Sequence, residues 1–423
     1  MHDLVHFAAA RGIRHFLFSF CDLFGVQRAK LVPAAAATEL AENGAGFAGF
    51  AAWLAMTPAD PDVLAIPDPA SLMVLPWQPQ VAWVAWVATN LEVGGVALEQ
   101  SPRLVLQRQL QRSAALGLQL RTGVEPEFFL LEAGADAIAD GRDRQSKPCY
   151  DQLALMRHYP LIAELLDGME QLGWGPYQAD HEDANGQFEI NWTFADALLT
   201  ADRHAFFRVM VAAIAERHGL RASFRPKPLA ELTGNGAHLH ASLWDPQGHN
   251  LFPDPQGPSG LSPLAHHFLG GLLEHAPALC ALTNPIANSY KRLARTTPTS
   301  GASWSPGWIS YGGNNRTHMV RIPDSQRLEL RLPDGAANPY LLQAAVLAAG
   351  LDGIERQLDP GPRSERNTAA DPPAGSDWRA PPSSLGEALA AFDADGHLRA
   401  ALGEPFCQAY LALAPRRDQE VVP

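Results

Sequence analysis

Two glutamates in the first third of the chain have the spacing of a paired acidic site. Glu125 and Glu127 are two residues apart and lead into the apolar run 128–131. Because alternate side chains of a β-strand point to the same face, both carboxylates would lie together on one face. Two like charges entering an apolar strand are costly unless a cation lies between them. The pair by itself is therefore compatible with a cation site or with a solvated strand end.

Two further clusters repeat this pattern with acidic and imidazole groups. In the first, Glu182 and Glu189 flank a turn that contains Gly186. In the second, His238 and His240 are at strand spacing and follow a glycine-rich loop. Glycine lets the backbone approach a ligand closely, so this histidine pair favours a binding site over two unrelated structural histidines.

A fourth cluster, 327–331, alternates charged residues with leucines, so its two arginines and Glu329 share one face. Carboxylates with one imidazole suit Mg²⁺ or Mn²⁺ and suit a structural zinc poorly. Five carboxylates exceed the need of one divalent ion, so two or more ions are predicted. Such ions commonly hold phosphate oxygens as well. The predicted metal ligands are Glu125, Glu127, Glu182, Glu189, Glu329 and His238.

Arginines concentrate in the Gly- and Asn-rich segments that precede the fourth cluster. Guanidinium groups bind carboxylate and phosphate through two hydrogen bonds. A surface salt bridge would explain any one of these arginines, but it does not explain why so many of them occur together. The residues by themselves predict a multi-metal site that handles an ATP phosphate and a small anionic substrate. Ligase, kinase and phosphohydrolase activities stay open at this level. The arginines are Arg292, Arg316, Arg321, Arg327 and Arg331.

Composition limits the remaining classes of function. At about 150 residues per domain, 423 residues predict two or three domains. Apolar residues make up 47% and charged residues 18%, which is globular composition. The net charge of −13 disfavours nucleic acid or an anionic membrane as the main partner.

Compartment and membrane association also follow from the sequence. The four cysteines are far apart and form no CxxC pair, so neither a disulfide framework nor a zinc knuckle is expected. The expected location is therefore the reducing cytoplasm. Residues 1–20 contain no continuous apolar signal core. The uncharged stretch 69–91 is interrupted by Pro76 and Pro79, and Val81–Ala88 is typical of a buried strand. We therefore expect a soluble protein.

The element pattern predicts a small domain at 1–98 and a large one at 99–423. Ser101 as N-cap, Pro102 and the stop at Gly117 frame a helix just after the boundary. The GxGxxG match at 44–49 follows a helix rather than a strand, so it predicts a helix end and a loop, not a dinucleotide site. Other predicted elements are strands at 16–21, 72–75 and 81–88, helices at 33–42, 161–172, 201–218 and 262–282, a surface loop at 359–382, and a terminal helix opened by a capping box at Ser384 and Glu387.

These clusters, together with 22–28 (DLFGVQR) and 331–340 (RLPDGAANPY), resemble the glutamine synthetase family over essentially the whole chain. The segment 311–321 is most similar to type III glutamate–ammonia ligases and γ-glutamylmethylamide synthetases. The resemblance implies an α+β fold: an N-terminal β-grasp domain and a C-terminal catalytic domain with a curved antiparallel sheet flanked by helices. It also implies stacked hexameric rings with active sites between neighbouring subunits.

The resemblance further implies an ATP- and Mg²⁺- or Mn²⁺-dependent ligase, in which glutamate forms γ-glutamyl phosphate and an amine then displaces phosphate. One metal would lie on Glu127, Glu182 and Glu189, and the other on Glu125, His238 and Glu329. The implied ATP contacts are His240, Ser242, Phe194 and Arg321. The implied contacts to glutamate or the transferred phosphate are Gly234, Arg292, Arg316 and Arg331, and Arg316, Arg331 and Glu182 are implied to be catalytic.

Two departures from the family pattern concern the amine. Ala48 stands where ammonia-using members have an aspartate, and Trp304 stands where they have a glutamate, after an apparent insertion that follows Arg292. Loss of charge and gain of aromatic surface favour an alkylamine such as methylamine over ammonium. Ammonia, a polyamine or another bulky amine, and a non-catalytic ring assembly are the alternatives. Glu182 and Asp60 are both candidates to accept the amine's proton.

Overall fold

The computed structural model describes residues 4–90, 96–294, 304–370 and 378–417, which form two β-sheets and surrounding helices. In the first sheet, strand β1 pairs antiparallel with β2 and parallel with β6. The strand order is β2-β1-β6-β4-β3, and β5 and β7 also pair with β6. The elements are α1 Leu4–Arg11, β1 His15–Cys21, β2 Gln27–Pro33, α2 Ala37–Asn43, β3 Ala45–Phe47, β4 Val63–Pro67, β5 Met73–Val74, β6 Val81–Asn90 and β7 Val96–Ala97.

Strand β1 is buried on both faces, which explains its nearly continuous apolar sequence. Phe16, Phe18 and Phe20 pack into the core of the first sheet. Leu17 and Cys21, on the opposite face, pack against the larger core of the second sheet. The first sheet is thus attached to the rest of the chain by the second face of one of its central strands.

The GxGxxG segment has the structure of a helix end, as predicted, followed by a short strand where a loop was expected. Gly44 follows α2 with φ of 80°, which an L side chain rarely adopts. A Cβ there would also lie 2.8 Å from Cβ of Leu64. The next residues form β3, which pairs with β4 rather than opening a helix.

The second sheet has nine strands in the order β14-β15-β16-β13-β8-β10-β9, with β11 and β12 also on β8. Its pairs are antiparallel, as expected, except for the parallel pair β14–β15 at one edge. The strands are β8 Gln119–Glu132, β9 Pro176–His181, β10 Gln187–Trp192, β11 Ala195–Asp196, β12 Leu220–Ser223, β13 Ala237–Trp244, β14 Tyr311–Gly312, β15 Val320–Asp324 and β16 Arg327–Leu330.

Helices cover this sheet, and α10 is buried along most of its length among them. Small residues allow the closest contacts: a Cβ on Gly271 of α7 would lie 2.0 Å from the carbonyl oxygen of Ala349 in α10. None of the helices described is long and apolar enough to cross a membrane. The helices are α3 Pro102–Ala115, α4 Gln152–Arg157, α5 Tyr159–Gln171, α6 Ala197–Arg217, α7 Pro263–Glu274, α8 Ala276–Thr283, α9 Ala287–Leu293, α10 Pro339–Arg356, α11 Leu385–Ala394, α12 Gly396–Leu402 and α13 Glu404–Arg417.

Two helix predictions needed correction. The single helix expected at 262–282 is divided into α7 and α8 at His275, because Pro277 has no N–H to donate and its ring clashes with a preceding turn. The terminal helix does begin after Ser384, whose hydroxyl accepts from the N–H of Glu387 at 3.2 Å. It is, however, three helices, α11 to α13, which are separated at Asp395 and at Gly403.

His275, which lies between α7 and α8, contacts α10 and the residue between α11 and α12. Its Nδ1 lies 2.6 Å from Asp395 and its Nε2 lies 2.8 Å from Asp352 of α10. Arg356 and His397 also contact Asp352. Burial opposes protonation of the imidazole, but the hydrogen bonds to Asp395 and Asp352 outweigh it and raise the pKa of His275.

This arrangement predicts a pH-dependent stability. The contribution of a raised histidine pKa is complete below the unfolded value of about 6.5 and is lost as the pH rises through the folded value. His275→Gln should lower the free energy of unfolding by about 1–3 kcal/mol at pH 6 and by less at pH 9. Denaturant unfolding across this range tests it, with the exposed His249→Gln as control. An equal loss at both pH values would contradict the prediction.

Candidate active site

The register of the second sheet brings the acidic and histidine clusters together. Glu125 of β8 is opposite His238 of β13, and Glu127 is opposite Glu189 of β10. His240 of β13 is opposite Glu329 of β16. Alternate spacing predicted that Glu125 and Glu127 share one strand face and that His238 and His240 share another, and the pairing of four strands brings these faces together with Glu189 and Glu329.

Ligand-type atoms of these residues lie close to one another. The Nδ1 atom of His238 is 3.6 Å from Glu125 and 3.9 Å from both Glu127 and Glu329. The Nε2 atom of His240 is 2.9 Å from Glu125. Within the described part of the chain, two groups have ligand atoms within 4.8 Å of one another: Glu125, Glu189 and His238, and Glu125, His240 and Glu329.

This grouping differs from the two sets that the resemblance implied. His240, expected near ATP, joins a group of possible ligands, and Glu125 belongs to both groups. Glu127 instead accepts from Gln187 Nε2 at 2.9 Å and from the N–H of Gly236 at 2.7 Å. Assignment of each carboxylate to one ion therefore stays a prediction.

The charge of the cluster is unbalanced. Burial raises the pKa of Glu189, and repulsion from Glu125 and Glu182 raises it further. Burial and repulsion from Glu127 and Asp180 likewise raise the pKa of Glu182. Buried carboxylates that resist ionisation, together with oxygen and imidazole donors, fit a site for divalent cations, because a bound cation would stabilise their charged forms.

His238 is suited to ligation for a separate reason. Burial, and then the charge of Arg331, lower its pKa to about 4. Its imidazole is therefore neutral at physiological pH, which is the form that binds a metal.

Most of the predicted arginines and carboxylates line one cavity of about 400 Å³, whereas Arg327 lines a different cavity and Glu329 lines neither of the two. Both Arg321 and Arg331 form ion pairs with Glu329. Burial alone would raise the pKa of Glu329, but the charge of Arg331 outweighs burial and the pKa falls to about 2. Gly234 borders the same space, and a Cβ there would lie 2.1 Å from the carbonyl oxygen of Pro226. The cavity lining includes Glu125, Glu127, Glu182, Glu189, Gly234, His238, Arg292, Arg316, Arg321 and Arg331.

A second cavity of about 460 Å³ shares Glu125 with the first. Phe194 and Trp244 stack there with ring centroids 6.1 Å apart, and the guanidinium of Arg121 lies 4.3 Å from the Trp244 ring. His240 and Ser242 also line this cavity, as the predicted ATP contacts would. Arg321, predicted with them, lines the first cavity instead.

Of the two positions that bear on the amine, one lies at the first cavity. Trp304 lines it, and its Nε1–H donates to Asp183 at 2.6 Å. Ala48 is exposed after β3 and lines neither cavity. Asp60 also lines neither and accepts from Thr57, which lowers its pKa. Residues 295–303, where the insertion after Arg292 falls, lie outside the described residues.

Several residues that line the first cavity were not among the predicted site residues. Asp180 is two residues before Glu182, so the period-2 rule could have found it, and burial and Glu125 raise its pKa to about 6. Cys149 and Tyr150 come from a loop that carries no comparable signal. Tyr150 has φ of 67°, a conformation that only the tertiary structure reveals.

Comparisons with known proteins agree with this site and fold. Residues 99–421 match the family model for the glutamine synthetase catalytic domain. The chain is 54% identical to a glutamine synthetase of Rhizobium leguminosarum bv. phaseoli, over 97% of this chain and 94% of that protein. It is 44% identical to a glutamate–methylamine ligase of Methyloversatilis universalis, over 95% and 91%.

Solved structures lead to the same family. A complex of GmaS with ADP superimposes with a TM-score of 0.94 at 56% identity, covering 99% of this chain and 96% of that one. The fold and site thus define a ligase that forms carbon–nitrogen bonds. The chain belongs to the glutamine synthetase family.

The unbalanced charge predicts opposite effects of one substitution. Glu189→Gln keeps the oxygen that accepts from Asn191 but removes a buried negative charge. Without metal it should stabilise the protein by about 1 kcal/mol, because repulsion falls. With saturating Mn²⁺ the wild type should gain about 3 kcal/mol and the variant much less.

Thermal unfolding with and without Mn²⁺ measures both effects. Glu355→Gln, at an exposed ion pair with Arg112, is the control and should change neither. Equal stabilisation of wild type and Glu189→Gln by Mn²⁺ would contradict a metal site at Glu189.

Proposed function

We propose that this chain joins a small primary amine, in the first place methylamine, to the γ-carboxylate of glutamate at the expense of ATP. The observation that carries the proposal is the indole of Trp304, which lines the same cavity as the carboxylates and arginines. Aromatic surface at this place favours an alkyl group over a bare ammonium ion. The 44% identity to a glutamate–methylamine ligase supports the same substrate.

ATP and two divalent ions are part of the proposal. Phe194 and Trp244 would contact the adenine ring, since stacked aromatic side chains bind a base through its face. Glu125, Glu127, Glu182, Glu189, His238 and Glu329 would hold Mg²⁺ or Mn²⁺, which neutralises phosphate charge when bound. All of these residues except Glu329 line the first cavity, and Glu125 also lines the second.

Arginines would carry the anionic groups of the reaction. Arg292, Arg316 and Arg331 line the first cavity with Gly234, which leaves room for glutamate. An oxygen of the glutamate γ-carboxylate bonds to the γ-phosphorus of ATP as the bond to ADP breaks, and fixed guanidinium groups stabilise the charge that develops. The amine nitrogen then bonds to the acyl carbon, and phosphate leaves.

The amine must lose a proton before or during this attack. Its pKa in water is near that of lysine, roughly 10, so a group in the site, Glu182, Asp60 or another, has to accept the proton. Of the two candidates raised by the sequence, Glu182 lines the cavity of its own chain, whereas Asp60 would have to act at the cavity of a neighbouring subunit. Asp180, at the same cavity, adds a second acceptor.

Assembly into stacked hexameric rings belongs to the same proposal. Ala48 is exposed in one chain and lines neither cavity, so we propose that it faces the amine at the active site of a neighbouring subunit. We also retain the division at 1–98 and 99–423 as the two domains from which such subunits are built.

Ammonia is the second candidate substrate. Relatives that are 54% and 52% identical, both over 97% of this chain, are named glutamine synthetase. In that case a group other than the two lost acidic residues would bind and deprotonate ammonium.

Amine preference decides between these candidates. With glutamate, ATP and Mg²⁺, kcat/KM for methylamine should exceed that for ammonia, because the Trp304 ring contacts the methyl group. ADP release measured with ammonia, methylamine, ethylamine and putrescine, together with mass spectrometry of the amide, tests this. A preference for ammonia would favour glutamine synthesis, and no turnover with any amine would favour the non-catalytic assembly.

The nucleotide cavity gives an independent prediction. Phe194→Ala should raise KM for ATP about tenfold or more, because one stacking surface is lost, and should leave KM for glutamate nearly unchanged. Steady-state kinetics with each substrate varied in turn measure this. Tyr159→Ala removes an exposed aromatic side chain outside both cavities and serves as control. A change confined to glutamate would contradict the assignment of this cavity to ATP.

A further inference from the structure

Trp304 is held at the cavity by one well-defined polar contact. Its indole is 37% exposed, so packing alone leaves a substantial part of the ring without neighbours. The Nε1–H donates to Oδ2 of Asp183 at 2.6 Å. Hydrogen bonds to a carboxylate are short and strong, so this contact restricts the orientation of the ring.

Asp183 itself has a fixed position. It is 5% exposed and lies in the turn between β9 and β10. Its backbone N–H donates to Oε2 of Glu182 at 3.0 Å. This contact holds the carboxylate of Glu182, one of those at the cavity, against the backbone of the residue that accepts from Trp304.

A second buried aspartate holds the turn. The carboxylate of Asp143 accepts from the side chain of Asn185 at 2.9 Å and from the N–H of Gly186 at 2.6 Å, and lies 2.7 Å from His181 Nε2. Gly186 has φ of 78°, which suits glycine at this sharp reversal. Three contacts to one carboxylate make the turn rigid on both sides of Asp183.

We propose that Asp183 is a positioning residue that sets amine specificity by orienting Trp304. This proposal rests on the function proposed above and adds the residue that gives the aromatic surface its place. Because Glu182 and Asp183 are adjacent in one rigid turn, the distance from the ring to the carboxylate cluster is fixed. A methyl group on the amine then meets a surface that is ordered before the amine binds.

Four variants test the proposal. Asp183→Ala removes the acceptor, Trp304→Phe removes the donor, and Asp183→Ala combined with Trp304→Phe removes both. Asp183→Asn keeps an oxygen that accepts. Asp136→Ala, which removes an exposed carboxylate paired with Arg221, is the matched control and should behave as wild type.

Each single removal should raise KM for methylamine about tenfold, with kcat changed less than about twofold. KM for ammonia should change less than KM for methylamine. The double variant should be no worse than either single one, because one interaction is lost in all three. Asp183→Asn should raise KM for methylamine much less than Asp183→Ala does, because the amide oxygen still accepts from Trp304. A general disturbance of the turn would not distinguish the two variants in this way.

Other outcomes overturn the proposal. If Asp183→Ala mainly raises the Mg²⁺ requirement and lowers kcat with either amine, Asp183 acts through Glu182 and not through Trp304. Additive losses in the double variant would likewise overturn it. If the wild type itself prefers ammonia, the proposed function fails, and the same variants compared on KM for ammonia still decide whether Asp183 acts through Trp304.

Discussion

The burial of several like charges in the second sheet is the constraint on which the site depends. Glu127, Glu182 and Glu189 lie where four antiparallel strands and their connecting turns meet, and burial and mutual repulsion raise their pKa values. Such a cluster lowers the stability of the metal-free protein and gains stability when cations bind. A cation bound there would therefore couple the free energy of folding to metal affinity through the same carboxylates.

Cationic side chains line the same cavity as these carboxylates. Glu329 lies between Arg321 and Arg331, and these ion pairs hold the guanidinium groups beside the acidic cluster. Two charge environments thus adjoin within about 400 Å³. Phosphate and carboxylate groups of substrates suit one of them and divalent cations the other, as transfer of a phosphoryl group requires.

Aromatic surfaces border this charged region at two places. Phe194 and Trp244 form a flat apolar surface in the adjoining cavity, and Trp304 forms another in the cavity itself. The turn that carries Glu182 and Asp183 connects the second surface to the acidic cluster by hydrogen bonds. A carboxylate of the acidic cluster and the acceptor for the Trp304 indole are therefore adjacent in one short segment.

The sequence by itself determined the local features: which glutamates and histidines share a strand face, where helices end, and which family the motifs resemble. These depend on residues a few positions apart, so spacing suffices. Tertiary structure alone decided that His240 lies opposite Glu329, that His275 contacts Asp352 and Asp395, and that Asp183 accepts from Trp304. Strand register and contacts across 121 residues depend on packing of the whole core, which no local pattern specifies.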